Sequence, residues 1–298
     1  MLEIKNAVKS FDTVKALDGV DFTVPEGTVF GLVGSNGAGK STLLRLISGV
    51  YEPNEGGAYI DGELTYENTE AKSRLFFIPD FPFYYNASTV DNTAELFRAV
   101  YKNWDEEYFQ RLCSTFPIDR KQKIINMSKG MQRQASLILG LSTRPSYLLL
   151  DEIFDGLDPV VRQLVKRLII ENVADRGTAV VISSHNLREL EDICDHIGLM
   201  HRGKIILQRE LDELKCDLRK VQIAFTEPTD ESVFEGLNIV SLTRQGNLFR
   251  VIVRGNAEEI DRKLGALKPA FMESLPLTLE EVFIEEMEAV GYDANKIL

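Results

Sequence analysis

The sequence predicts an α/β fold in which helices cover a parallel sheet. The 298 residues are 44% hydrophobic and 27% charged, which suits one large domain, alone or with a smaller companion. Apolar runs of strand length at residues 28–33, 147–150 and 178–183 are typical of strands buried on both faces. Residues 160–172, between the last two runs, have helical periodicity. Strands that alternate with helices in this way define the class.

The first 33 residues predict strands that lead into a glycine-rich loop. Val20, Phe22 and Val24 alternate with polar residues before the turn at 25–27. The apolar run at 28–33 then enters the loop, and apolar residues at helical spacing follow it. A strand, a glycine-rich loop and a helix in this order are the context that a phosphate-binding loop requires.

The next region, at about residues 80–142, is predicted to be helical. The acidic residues 105–107 suit the first turn of a helix, because carboxylates stabilise the positive end of its dipole. Another helix is expected after Ser128, where apolar residues recur at helical spacing as far as Leu141.

The composition changes near residue 211. Residues 211–298 carry 10 basic and 17 acidic side chains and are more acidic per residue than the chain before them. Thr278 and Glu281 have the spacing of a capping box, which predicts a helix start. That helix would present an apolar stripe of Leu279, Val282, Phe283 and Met287. Strands are expected at 221–225, 239–242 and 248–253, and helices at 257–264 and 278–289. We therefore expect domains at 1–210 and 211–298, the second a small α+β domain.

The charge, the apolar runs and the cysteines of the sequence indicate which binding partners and which cellular compartment to expect. The net charge of −12 disfavours nucleic acid as a partner. No apolar run approaches the ~20 residues of a membrane span, and the first residues lack the apolar core of a signal peptide, so we expect a cytoplasmic protein. The cysteines Cys113, Cys194 and Cys216 lack metal-like spacing and are expected to be buried thiols.

The glycine-rich loop fits the phosphate-binding pattern. Glycines allow successive backbone N–H groups to point at phosphate oxygens, and the following helix adds its positive end. Lys40 would bridge the β- and γ-phosphates, and Ser41 would ligate Mg²⁺. The loop predicts nucleotide binding by Gly34, Ser35, Asn36, Gly37, Ala38, Gly39, Lys40, Ser41 and Thr42.

A second motif, which is acidic, helps to distinguish among the kinases, GTPases and ATPases that use such a loop. The apolar strand at 147–150 ends in two carboxylates, Asp151 and Glu152. Asp151 would hold Mg²⁺, directly or through water, and Glu152 would polarise an attacking water molecule.

Further motifs in the same order make the sequence resemble the ATP-binding cassette (ABC) ATPases over roughly residues 1–210. The signature loop of that family corresponds to Met127, Ser128, Lys129, Gly130 and Met131. Its D-loop corresponds to residues 154–158, its switch histidine to His185, and its adenine-stacking aromatic residue to Phe11.

The resemblance implies an ABC-type P-loop core with an antiparallel β subdomain and a helical subdomain. It also implies a head-to-tail dimer, with itself or with a second ABC subunit, in which the signature loop of one cassette, including Ser128 and Gly130, closes on ATP held by the other. His185 would contact the γ-phosphate, and Asp158 would couple the two sites.

Four positions depart from the family pattern. Lys129 replaces a signature glycine, Met131 replaces glutamine, and Ile153 stands where many members have proline. Asp80 occupies the position of a glutamine that orients the attacking water. An ionised aspartate only accepts hydrogen bonds, so Asp80 could approach Mg²⁺ through water but could not orient the attacking water as a donor. We therefore expect the isolated chain to be a slow ATPase and Asp80→Gln to raise its basal rate severalfold. The alternative is that Asp80 is an exposed loop acid with no role.

The function that this resemblance implies is that of the ATP-hydrolysing subunit of a membrane transporter, peripheral to the membrane through a separate permease. The signature and the last helix resemble those of cassettes paired with ABC-2-type permeases, which are often exporters. A soluble ABC ATPase acting on ribosomes or DNA is the alternative, although such proteins resemble tandem cassettes or carry long insertions. A small-molecule kinase would leave Ser128, Asp158 and His185 without a role.

Overall fold

The computed structural model describes residues 1–211, 213 and 218–289. The chain divides into two compact units, Met1–Gln208 and Arg209–Leu298.

The first unit combines two sheets with several helices. Its strands are β1 (Leu2–Phe11), β2 (Val14–Val24), β3 (Val29–Val33), β4 (Glu55–Ile60), β5 (Glu63–Leu64), β6 (Leu75–Ile78), β7 (Tyr147–Asp151), β8 (Ala179–Ser184), β9 (His196–His201) and β10 (Lys204–Glu210), whose last residues pass the boundary. Its helices are α1 (Lys40–Ile47), α2 (Thr69–Ser73), α3 (Val90–Val100), α4 (Glu106–Thr115), α5 (Lys129–Ser142), α6 (Pro159–Arg176) and α7 (Leu187–Leu190).

The larger sheet has the strand order β10-β9-β3-β8-β7-β6. Strands β3, β7 and β8 are buried along their whole length, which explains their unbroken apolar sequences. They pair in parallel, with Val33 beside Ser184 and Asp151 beside Ser183. The predicted α/β class is confirmed, and the parallel pairing brings the carboxyl ends of these strands to one edge.

A second sheet is antiparallel, in the order β2-β1-β4-β5. Strands β4 and β5, which follow β1 in this order, were not predicted. Strand β4 begins with Glu55, Gly56 and Gly57, residue types that are depleted in strands, and it is held by its pairing with β1. Phe22 of this sheet stacks on Phe30 of the parallel sheet at 4.9 Å between ring centroids.

The predicted helical region contains α3, α4 and α5. Asp105 accepts a hydrogen bond from the Tyr108 N–H at the start of α4, which confirms the predicted helix start. Cys194 is buried as expected, whereas Cys113 on α4 is only half-buried. Cys216 lies outside the described residues.

The second unit contains an antiparallel sheet in the order β12-β13-β11-β14. Its elements are β11 (Leu218–Ala224), β12 (Ile239–Gln245), β13 (Leu248–Arg254), α8 (Ala257–Ala266), β14 (Phe271–Leu275) and α9 (Leu279–Ala289). The capping box is confirmed, because the Glu281 N–H donates to Thr278 Oγ1 and the Thr278 N–H donates to Glu281 Oε2. Leu279, Val282 and Phe283 are buried as expected, and the Met287 side chain lies outside the described part.

Within residues 1–211, 213 and 218–289, we find no helix with the length and hydropathy needed to cross a membrane.

Candidate active site

A cavity of about 460 Å³ opens at the carboxyl edge of the parallel sheet. Residues 35–42 form its floor, and Asp80 and Glu152 line it from neighbouring loops. Its remaining walls are Val14, Lys15, Ala16, Arg202 and Gly203. The predicted phosphate loop is therefore the main lining of this cavity.

The geometry of the loop depends on Gly39, the residue before α1. Gly39 has φ of 112°, which L-residues with a side chain rarely adopt. A Cβ atom there would also lie 2.6 Å from the carbonyl oxygen of Ala16. This turn allows α1 to begin at Lys40, so the N-terminus of α1 contributes to an anion site.

Lys40 is held inside the cavity wall, with 6% of its surface exposed. Its Nζ donates to the carbonyl oxygens of Gly34 at 2.5 Å and Ser35 at 3.3 Å, and it lies 3.6 Å from Glu152 Oε1. Burial lowers the pKa of Lys40, an effect that the nearby Glu152 carboxylate opposes. Two of its three N–H donors are thus occupied by the loop, and the third faces Glu152.

Asp151 is the buried acid at the end of β7, 1% exposed. Its Oδ1 accepts hydrogen bonds from Ser41 Oγ at 3.1 Å and Ser183 Oγ at 2.6 Å. Its Oδ2 is buried with no hydrogen-bond partner among the residues that the structure describes. A buried carboxylate oxygen without a partner is costly unless another group binds it. The role of Ser183 was not predicted, because a hydroxyl at the end of an apolar strand is not a distinctive signal.

Glu152 follows at a sharp bend, with φ of 49°. Its backbone N–H donates to the carbonyl and the hydroxyl oxygens of Ser183, which fix the bend. Its Oε2 lies 2.9 Å from His185 Nδ1 and accepts a hydrogen bond from the His185 backbone N–H at 3.3 Å. The structure therefore places Glu152 between Lys40 and His185.

Asp80 lines the cavity as expected, but its carboxylate has a partner that the sequence analysis missed. Arg133 Nη2 lies 2.5 Å from Asp80 Oδ1, and Arg133 Nη1 donates to the carbonyl oxygen of Asp155. The approach of Asp80 to Mg²⁺ stays a prediction. The atypical acid at position 80 was itself a signal, because a half-buried carboxylate calls for a nearby cation.

The predicted signature residues begin α5. Ser128 caps that helix by accepting a hydrogen bond from the Met131 N–H at 3.2 Å. The Lys129 ammonium lies 5.4 Å from the centroid of the Phe81 ring. A Cβ atom on Gly130 would lie 2.7 Å from the carbonyl oxygen of Gly156, so this position requires glycine. Among the described residues that line the cavity, none belongs to 128–131.

Two other predicted residues have contacts that sequence spacing did not indicate. The Asp158 carboxylate caps α6, accepting from the N–H groups of Val160 and Val161 at 3.0 Å each. Phe11 packs edge-on against Tyr51, with ring centroids 5.1 Å apart, and is not among the described cavity-lining residues. Its stacking on adenine stays a prediction. Arg202, which was not predicted, lines the cavity instead.

Comparisons with known proteins agree with this geometry. The family model described as "ABC transporter" matches residues 17–155. The ABC transporter ATP-binding protein YtrB of Bacillus subtilis is 34% identical over 95% of this chain and 97% of its own length. The lantibiotic transport ATP-binding protein SrtF of Streptococcus pyogenes is 32% identical over 71% of this chain and 92% of its own.

A solved structure of the ATP-binding subunit of an ABC transporter gives the same result for the fold. It has a TM-score of 0.67 and 27% identity, covering 72% of this chain and 92% of that one. Together with the phosphate loop and the Asp151–Glu152 pair, these similarities show that the chain belongs to the family of ABC transporter ATP-binding proteins and is an ATPase.

Proposed function

We propose that this ATP-binding subunit forms a head-to-tail dimer around ATP and drives a separate permease, in the direction of export. The observation that carries the proposal is the position of Glu152 between Lys40 and His185 at the mouth of a phosphate-binding cavity. Support for export comes from the resemblance to cassettes paired with ABC-2-type permeases, and the name of SrtF supports transport.

The residues at the end of β7 fit a magnesium ion. Asp151 Oδ2 is buried and has no hydrogen-bond partner within the described part of the chain, and the hydroxyl of Ser41 lies beside the other carboxylate oxygen. Oxygen donors of this kind suit Mg²⁺. We propose that Ser41 and Asp151 hold the ion, which when bound neutralises charge on the phosphates.

The cavity residues divide the work of hydrolysis. The triphosphate would bind to the N–H groups of residues 34–42, and the Lys40 donor that faces Glu152 would turn to its oxygens. Lys40 would then exchange Glu152 for phosphate, which leaves Glu152 Oε1 able to polarise water. His185 holds the other oxygen of Glu152 and would keep that carboxylate oriented toward the γ-phosphate.

The dimer accounts for the residues that lie away from the cavity in their own chain. Ser128 and Gly130 lie at the exposed N-terminal end of a 14-residue helix, where N–H groups and the helix dipole favour an anion. In a head-to-tail pair this end would close on the triphosphate held by the partner. ATP would then join the subunits, and its hydrolysis would release them.

A surface for the permease lies directly beside the ATP cavity. Phe81 and Phe83 are 70% and 81% exposed and border an apolar groove of about 400 Å³. Tyr85, 73% exposed, contacts the ring of Phe83. Asp80 lines the ATP cavity and the next residue, Phe81, lines this groove. Exposed aromatic side chains around a groove are typical of protein-binding sites. We propose that an apolar helix of the permease occupies the groove.

Replacing Phe83 and Tyr85 with serine is expected to abolish binding of the permease while preserving ATP binding. These rings contact each other at 5.4 Å and cover little of the cassette itself, so the fold should survive. The full-length tagged chain would be purified from detergent-solubilised membranes of its own cells. We expect the wild type to retain a membrane-spanning protein and the double variant to lose at least nine-tenths of it, as for hot-spot residues.

The matched control is Phe271→Ser, which removes an exposed aromatic ring from the second unit. This variant should retain the permease. Equal recovery of the membrane protein with all three forms would contradict the proposed surface. Recovery of ribosomes or DNA in place of a membrane protein would instead support the soluble ABC ATPase.

A further inference from the structure

Arg133 joins three parts of the active site through one side chain. Its guanidinium contacts Asp80 in the loop after β6 and the carbonyl oxygen of Asp155 in the loop after β7. The residue itself lies on α5, one turn after the signature residues. Arg133 is 5% exposed and the Asp80 side chain is 27% exposed, so the ion pair is partly buried.

The same face of α5 makes a second contact with the same loop. Lys129, four residues before Arg133, lies over the ring of Phe81, which directly follows Asp80. Residues four apart on a helix lie on one face, so Lys129 and Arg133 reach adjacent residues. The N-terminal part of α5 is therefore attached to the loop at Asp80 by both a cation–π contact and an ion pair.

The charge around Asp80 shows what the ion pair does. Burial and the nearby Asp151 and Glu152 carboxylates raise the pKa of Asp80, and Arg133 opposes this shift. An unpaired carboxylate at this position would face two other acids and, with ATP bound, the triphosphate. A guanidinium at 2.5 Å neutralises that charge locally.

We infer that Arg133 is a positioning residue for ATP hydrolysis. It compensates the charge of Asp80, fixes the loop that carries Asp80 relative to the start of α5, and holds the loop at Asp155. The inference rests on the proposed position of the triphosphate over Lys40 and Ser41. It also changes the expectation for Asp80→Gln: that substitution leaves a buried guanidinium without its carboxylate, so it should slow hydrolysis and not accelerate it.

The test is a double-mutant cycle on the full-length chain, with Arg133→Met, Asp80→Asn and both together. Steady-state kcat/KM for Mg·ATP and the melting temperature would be measured for each. Arg133→Met is expected to lower kcat/KM about tenfold by exposing the triphosphate to an unpaired Asp80, within the range of coupling between contacting residues. Adding Asp80→Asn should return kcat/KM to within about threefold of the wild type, because the repelling charge is gone.

This recovery separates positioning from a merely structural role. If Arg133 only supports the fold, Arg133→Met will have a lower melting temperature but the wild-type kcat/KM when it is assayed well below that temperature, and there will be no loss for Asp80→Asn to recover. That outcome would overturn the inference. If Arg133→Met does not fold, Arg133→Lys provides the comparison, because it keeps the positive charge. Arg133→Lys alone should have a higher kcat/KM than Arg133→Lys combined with Asp80→Asn. The reverse order would overturn the inference.

The control is another Arg–Asp pair of the same unit, Arg144 and Asp105, at 2.7 Å. Arg144→Met should lower the melting temperature and leave kcat/KM unchanged, since neither residue lines the ATP cavity. A similar loss of kcat/KM in Arg144→Met would also contradict the inference. An error in the proposed ATP site would be detected separately, because Lys40→Ala would then bind ATP as well as the wild type does.

Discussion

Replacing Glu152 with glutamine is expected to lower the steady-state rate of ATP hydrolysis by about 10²- to 10⁴-fold, the usual contribution of a general base. The amide keeps the shape of the side chain between Lys40 and His185 but lacks the basicity to polarise water. Binding of Mg·ATP should persist, because the proposed phosphate contacts come from residues 34–42. The measurement is phosphate release under saturating Mg·ATP.

The same variant should also reveal the dimer. With hydrolysis blocked, ATP remains between the subunits, so size exclusion with Mg·ATP should show a species of twice the mass. Glu171→Gln is the matched control, because it removes the same charge from the surface of α6, where Glu171 is 46% exposed. It should hydrolyse ATP at the wild-type rate. Wild-type hydrolysis by Glu152→Gln would exclude Glu152 as the base, and a purely monomeric variant would contradict ATP-driven dimerisation of the isolated subunit.

Replacing Lys40 with alanine is expected to weaken Mg·ATP binding by about 10²-fold or more, which corresponds to about 2.7 kcal/mol. The ammonium makes the charge-assisted contact with phosphate oxygens that the backbone N–H groups cannot replace. Equilibrium titration should be made in the Glu152→Gln background, so that hydrolysis does not consume the ligand.

Lys166 provides an unusually close control for this experiment. Lys40 and Lys166 are both 6% exposed, and the ammonium of Lys166 lies 3.3 Å from Asp192 Oδ2, outside the cavity lining. Lys166→Ala should therefore cost stability without weakening ATP binding. Equal affinities of Lys40→Ala and the parent protein would contradict the placement of the triphosphate.

The fold was predicted from local sequence patterns that agree with the elements of the tertiary structure. Strands β3, β7 and β8 have largely apolar sequences because they are buried along their whole length in a parallel sheet. The β4–β5 pair was missed because β4 begins with residues that are poor strand formers and pairs with the distant strand β1. Pairing between distant segments can thus override local preference.

The candidate site also contains residues whose positions the sequence predicted and residues whose positions it did not. The phosphate loop, Asp151, Glu152 and His185 follow the ends of parallel strands, so their sequence order already implied that they would meet at one edge. The positions of Phe11 and Asp158 were less predictable. Phe11 packs on Tyr51 and the Asp158 carboxylate caps α6, contacts that depend on side-chain direction.

The sequence by itself determined the ATP-binding loop and the acidic pair, because each is a short motif whose chemistry depends on neighbouring residues. The order of such motifs along the chain also determined the family. Only the tertiary structure decided the partner of Asp80. Arg133 lies 53 residues away along the chain, and no local pattern specifies that its guanidinium should face the loop after β6. That pairing follows from the packing of α5 beside β6, which fixes where buried charges must find opposite charges.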